Sequence, residues 1–209
     1  MLFLMLANAA QAGVVIDRIA VIVGRHVIKT SDIVRDLRVT EFLNREPLDL
    51  GSAAKRKSAE RLIDQEIIRQ EIVTGGYRRP SEAEASAFEK QFENDRFHGS
   101  AVQLRAAVAK YGIAEELLRE QLVWQLTVLR FIDQRFRAGV LVTDDEVKSY
   151  YDQNLAALRE QNPHGNSLEA LQPKIRSTLE GERINQNFNE WLEHEREIYR
   201  IEYKQEAFE

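Results

Sequence analysis

Two adjacent acid pairs, Glu115-Glu116 and Asp144-Asp145, are the residues whose spacing comes nearest to acid–base chemistry. Neighbouring carboxylates can divide acid and base roles when their surroundings push their pKa values apart. Both pairs open a helical pattern, where a carboxylate is favoured by the helix dipole. No base or nucleophile is set beside either one. The histidines, His26, His98, His164 and His194, are scattered, and none falls in an H-x-x-x-H or H-E-x-x-H pattern. The chain has no cysteine, which excludes disulfides, thiolate catalysis and cysteine-based zinc sites. No G-x-S-x-G, P-loop or dinucleotide fingerprint occurs. The sequence therefore assigns no catalytic residue, no metal ligand and no cofactor.

What remains is association. Phe88, Phe92 and Phe97 follow one another at about one helical turn inside Pro80 to Gly112, a helical lobe away from the chain ends. They are the candidate client-binding residues, since aromatic surface rimmed by polar groups suits loose binding of unfolded chain. The same spacing also serves an ordinary core.

The elements that position them are mostly helices. Val14 to Asp32 is rich in β-branched residues, which suits a pleated strand. Gly24-Arg25 interrupts it as a type II′ hairpin turn, with glycine first to supply the positive φ. Thr30-Ser31-Asp32 offers a helix cap. At the other end, Ile198 to Lys204 alternates, with Tyr199, Ile201 and Tyr203 on one face. An isolated hairpin is marginal in water, so this last strand is expected to pair with the first hairpin.

Between them, Ile33 to Leu43 predicts a short amphipathic helix, and Ser52 caps a longer one ending at Gly75-Gly76. Ser81-x-x-Glu84, Ser100-x-x-Gln103 and Thr143-x-x-Glu146 are N-terminal caps. Ile113 to Arg137 is apolar over most of its circumference and predicts a central helix sheathed by the others. An exposed apolar flank on it would instead mark a groove for a partner. Leu155 to Asn166, with the breaker Asn162-Pro163-His164-Gly165-Asn166, reads as a short linker. A final helix runs from Ser167 to about Glu197, with Pro173 kinking it or marking its start.

The 209 residues, 44% apolar, suffice for one core with an extended lobe. A net charge of −5 argues against nucleic acid, because the basic clusters Lys55-Arg56-Lys57 and Arg78-Arg79 stand among acids. Leu2 to Leu6 is apolar, and Ala10-Gln11-Ala12 fits signal-peptidase cleavage. Residues 1–12 thus read as a signal peptide whose start lies upstream. No segment approaches ~20 uninterrupted apolar residues, so the mature chain is expected to lack an integral membrane segment.

Several stretches, in order, resemble one family. V-V-I-D-R-I-A-V-I-V-G-R-H-V-I-K-T-S-D-I is similar to the opening of mature SurA-type periplasmic chaperones. R-L-I-D-Q-E-I-I-R-Q-E with its Gly75-Gly76 stop resembles the family's second helix. Val142 to Asn154 resembles the segment leading out of its N-terminal domain, and Ile175 to Leu192 its C-terminal helix. Gly24-Arg25 departs from the Asn-Gly or Asn-Asp turn common there.

The larger departure is that a parvulin prolyl isomerase domain, on the order of ninety residues, cannot fit between Leu155 and Asn166, and its paired histidines have no counterparts. The resemblance implies a mainly α fold over residues 13–209, closed by a small antiparallel sheet of N-terminal hairpin and C-terminal strand. It implies an ATP-independent periplasmic holdase for unfolded outer-membrane proteins, without isomerase activity. A degenerate isomerase relative and a structural envelope adaptor are the alternatives, the adaptor as a homodimer; a homodimer is also among the expected partners of the chain.

Overall fold

The computed structural model describes residues 17–161 and 166–209. The expected signal peptide at 1–12, Val14 to Ile16 of the first strand, and residues 162–165 of the breaker lie outside the described residues. Among the described residues the fold is mainly α, with seven α-helices and a small three-stranded antiparallel sheet.

The sheet joins the two ends of the chain. Strands β1 (Ile19–Val23) and β2 (His26–Lys29) form the hairpin, and β3 (Ile201–Tyr203) pairs with β1, giving the order β2-β1-β3. Val23 faces His26, leaving the two-residue loop Gly24-Arg25. Gly24 has φ 59° and Arg25 does not have positive φ, the signs expected of a type II′ turn. The register slips between Ile19 and Val21. The extra residue breaks the alternation, so Ala20 and Val21 are both fully buried. The last strand is shorter than the alternating stretch that predicts it. Tyr199 and Tyr203 nevertheless both reach the second helix, the first through Gln70 Oε1 at 2.9 Å and the second through Glu60 Oε1 at 2.7 Å.

Helix α1 (Thr30–Asn44) follows the hairpin directly. Thr30-Ser31-Asp32 forms its first turn rather than its cap; Asp32 accepts from the Lys29 N–H at 2.9 Å, an N3 carboxylate reaching back over the helix start. Helix α2 (Ser52–Thr74) has Gly51 at its N-cap, so Ser52 is the first helical residue and not the cap. It ends as expected at Gly75-Gly76, where the Tyr77 N–H reaches back to Ile72 O at 3.1 Å.

Helices α3 (Glu82–Phe97) and α4 (Ala101–Lys110) carry the expected caps at Ser81 and Ser100. Helix α5 (Glu115–Phe136) precedes α6 (Asp144–Gln161) and α7 (Leu168–Ile198). The expected linker is corrected here: residues 155–161 continue α6, and Leu158 is buried in the α6–α7 core with Val147, Leu171 and Ile175. Ser167 caps α7, so Pro173 lies inside that helix rather than at its start.

The sheet packs on α1 and α2 through Val21, Val23, Ile28, Ile33, Leu37, Ile63 and Ile67. The C-terminal tail completes this core after a 3₁₀ turn at Gln205–Ala207: Phe208 is 1% exposed, with Arg56 over its ring at 4.9 Å. Arg196 of α7 pairs with both Asp64 and Glu60 of α2. Burial pushes the Asp64 carboxyl above its usual value while Arg196 opposes the shift.

The tail's position gives a first test. Phe208→Ala removes a fully buried ring and should cost about 3–5 kcal/mol, read as a lower denaturant midpoint; an unchanged midpoint would show that the tail is not core.

The capping boxes give a second. Hydrogen bonds from Arg130 and then Ser81 hold the Glu84 carboxyl at about 2, against an ordinary 4.5. A carboxyl lowered in the folded state adds stability that is full above its unfolded value and lost as pH falls through the folded one. Glu84→Gln should therefore lower the Tm at neutral pH, and the gap to the native protein should close between about pH 4.5 and pH 2. A gap of constant size across that range would contradict the assignment.

Candidate functional site

Two half-open apolar regions stand out; α5 lines the first and supplies core residues behind the second. The first is a groove between α2 and α5. Ile68 on α2 and Trp124, Val128 and Leu129 on α5 form its floor, and Asp64, Gln65, Gln121 and Gln125 its rim. It encloses about 360 Å³. Leu129 is 58% exposed. The sequence expectation of a fully sheathed central helix is thus corrected. Helix α5 buries Leu118, Leu122 and Phe131, but one apolar flank faces the groove. Its apolar residues span more of the circumference than α1, α2, α3 and α7 can cover.

Trp124 is held in place rather than loose. The Arg69 guanidinium lies over its ring at 4.8 Å. Arg69 in turn donates to Glu66 Oε2 at 2.8 Å, and Gln70 donates to Glu66 Oε1 at 3.0 Å. Glu66 is buried, and His26 Nδ1 stands 3.6 Å from it. Behind the groove, Phe131 packs edge-on against Trp191 at 5.4 Å and Phe136 at 5.9 Å.

The second region contains the phenylalanines named from the sequence. Phe88, Phe92 and Phe97 are half-buried and packed against the core of Val39, Phe42, Val108 and Leu118. Phe92 and Phe97 also line a basin of about 510 Å³ with Phe42 and Tyr111. Phe42 is its hub: its ring stacks on Phe97 at 6.3 Å, tilts to Phe92 at 6.4 Å and meets Tyr111 edge-on at 5.6 Å.

Tyr111 is fixed at both ends. Its hydroxyl donates to Glu46 O at 2.9 Å, and its carbonyl accepts from Arg38 Nη1 at 2.9 Å. Gly112, at φ 62°, lets the chain turn beneath Arg38, which also donates to its carbonyl at 3.2 Å. The structure therefore gathers Phe92 and Phe97 around one basin, while Phe88 packs into the cluster behind them.

Both acid pairs sit in first helical turns. Asp144 pairs with Arg176 and accepts from Gln172 Nε2 at 3.3 Å, and Glu115-Glu116 opens α5. Among the described residues, no group of three or more histidine and acidic residues could hold a metal ion, and no helix is long and apolar enough to cross a membrane.

Sequence reasoning gave an exposed flank of the central helix only as the alternative to core, did not place α2 beside it, and missed the role of Phe42. The available signal for the groove was the three rim glutamines, which fall at 65, 121 and 125, beside apolar positions. Phe42 looked like one residue of a short amphipathic stripe.

The hub role predicts that Phe42→Ala costs about 3–5 kcal/mol and broadens the ring resonances of Phe92, Phe97 and Tyr111 together. Retention of those ring environments in the variant would show that the rings are ordered without it.

No protein-family model matches this chain, and no curated protein matches it.

Proposed function

We propose that the protein is an ATP-independent holdase of the SurA type, without prolyl isomerase activity, that binds unfolded outer-membrane protein chains in the periplasm. One observation carries the reading: α5 leaves Trp124, Val128 and Leu129 open in a groove whose rim is largely amide side chains. An amide offers both donor and acceptor, so Gln65, Gln121 and Gln125 can pair with the backbone of any extended segment. The apolar floor takes whichever side chain falls there. This is recognition by chemistry common to all unfolded chains rather than by sequence.

The expected affinity is modest. Burying one Leu- or Phe-sized side chain yields roughly 1.5–3 kcal/mol, and each immobilised side chain returns about 0.5–1.5 kcal/mol in lost freedom. A short groove of this kind holds a chain weakly and releases it without a nucleotide cycle. Phe92 and Phe97 supply a second apolar contact on the same molecule. Two weak sites on one molecule raise the effective local concentration of a long client at each other.

The test is suppression of light scattering by an unfolded β-barrel protein diluted from denaturant. Stoichiometric protein should hold scattering down, with no acceleration of prolyl cis/trans exchange in a peptide. Leu129→Glu, at an exposed position, should preserve the fold by circular dichroism and raise the amount needed for half-suppression by about three- to tenfold. Undiminished scattering with the native protein would overturn the proposal, and equal potency of Leu129→Glu would remove the groove from it.

A further inference from the structure

The small sheet has two edges, β2 and β3, and they offer different things to a neighbour. The Gly24 N–H donates to Arg200 O and the Lys204 N–H to Ala20 O, both at 2.9 Å. Hydrogen-bonded and non-hydrogen-bonded pairs alternate along an antiparallel ladder. Arg200, Glu202 and Lys204 therefore turn their backbone groups toward β1, and Ile201 and Tyr203 turn theirs outward. Among the described residues no hydrogen bond meets the outward N–H and C=O of Ile201 and Tyr203.

The opposite edge is poorer. Strand β2 turns Val27 outward by the same alternation. Lys29, the last residue of β2, already gives its N–H to Asp32 Oδ2 at 2.9 Å and passes directly into α1. An open edge is a template for an added strand unless proline, charge or a covering element guards it. The outward residues of β3 are an isoleucine and a tyrosine, so neither guards it.

Two occupants have the backbone this edge needs: a second copy of β3, or an extended segment of another polypeptide. Charge opposes the second copy. Two antiparallel β3 strands satisfy every outward group only when Ile201 of one lies opposite Tyr203 of the other. Sliding by two residues either way calls on the Tyr199 N–H or the Gln205 C=O. Both are taken, by Glu195 O and by the Phe208 N–H, at 3.1 Å each. In the register that remains, Glu202 faces Glu202 and Arg200 faces Lys204. These are like charges in non-hydrogen-bonded pairs, where side chains approach most closely.

The same row of charges favours a strand of the opposite pattern. We infer that the outer edge of β3 takes an extended polypeptide segment as a fourth, antiparallel strand. That segment carries a basic residue with an acidic residue two places before it and another two places after it. The basic residue lies opposite Glu202, and the acids lie opposite Arg200 and Lys204. The residues between exchange backbone hydrogen bonds with Ile201 and Tyr203. Glu202 now contacts Arg200 at 2.6 Å and Lys204 at 3.5 Å. Pairs this exposed are weak and give way to cross-strand partners. Main-chain bonds supply affinity and the charged row supplies selectivity. None of these residues lines the groove or the basin, so the inference rests on the strand ladder and not on the holdase reading.

The test is an NMR titration of the intact, isotope-labelled protein at low salt with short end-capped peptides. One contains Asp-Val-Lys-Val-Asp, one the swapped Lys-Val-Asp-Val-Lys, and one the first sequence with both valines N-methylated. The first should shift the amides of Ile201 and Tyr203 and slow their exchange with solvent. The swapped peptide should bind about tenfold more weakly, although a net charge of −5 draws it in. N-methylation should abolish the shifts. Arg200→Glu/Glu202→Lys/Lys204→Glu, at positions outside the buried core, should reverse the preference and leave the circular dichroism spectrum unchanged.

Absence of binding overturns the inference, as do shifts that leave out Ile201 and Tyr203. Equal affinity for the two charge patterns, binding that survives N-methylation, or a preference unmoved by the triple reversal also overturns it. Changes in those two amides with protein concentration alone would put a second copy on the edge and overturn it too. Leu129→Glu separates this site from the holdase groove: it should weaken suppression of scattering and leave the peptide titration as it is.

Discussion

Pairing of β3 with β1 is the constraint from which the rest of the arrangement follows. Val21, Ile22 and Val23 lie opposite Tyr203, Glu202 and Ile201, and the Gly24 N–H and Lys204 N–H extend the ladder at 2.9 Å on each side. Because β3 follows α7 almost directly, this pairing fixes where the long helix must end. It brings Arg196 against Glu60 and Asp64, Tyr199 against Gln70 and Trp191 against Phe131. Helix α2 then has the sheet and α7 along its length, and α5 rests against α7 and the outer part of α2. Ile68, Ile72, Phe131 and Trp191 pack together where α2, α5 and α7 meet, and the groove opens beside them.

Helix α5 shows how one element can serve as core and as surface. Its N-terminal half gives Leu118 and Leu122 to the lobe, and its C-terminal half gives Phe131 to the aromatic junction. Arg119 and Arg130 reach to Glu89 and Glu84 on α3 and set the lobe's orientation. Few apolar positions remain to be covered on the fourth side, and no element among the described residues reaches them. Exposed apolar surface here is a consequence of the packing, and polar amides stand at its rim.

Much of this was legible from residue types. The hairpin could be read because Gly24 stands between β-branched runs, and the terminal strand because Tyr199, Ile201 and Tyr203 alternate with charges. Ser81, Ser100 and Thr143 announced their helices through local chemistry that tertiary context did not override. Helix starts at Thr30 and Ser52 were misplaced by a residue or more, since a hydroxyl can occupy the first turn as readily as the cap. The linker was drawn too early because the breaker at 162–166 says where a helix must have ended, not how far it continues before that. The groove was illegible for a different reason: an apolar stripe states what is to be covered, while how much of it is covered depends on neighbours far away in sequence.

The burial of Phe208 beside β1 also has a temporal side. The hairpin is synthesised well before its partner strand and the ring that seals it. Throughout elongation β1 has one unsatisfied edge and an unroofed apolar face. Contacts of such wide sequence separation form slowly. Closure of the sheet must therefore wait until the segment from Ile201 to Phe208 has been made.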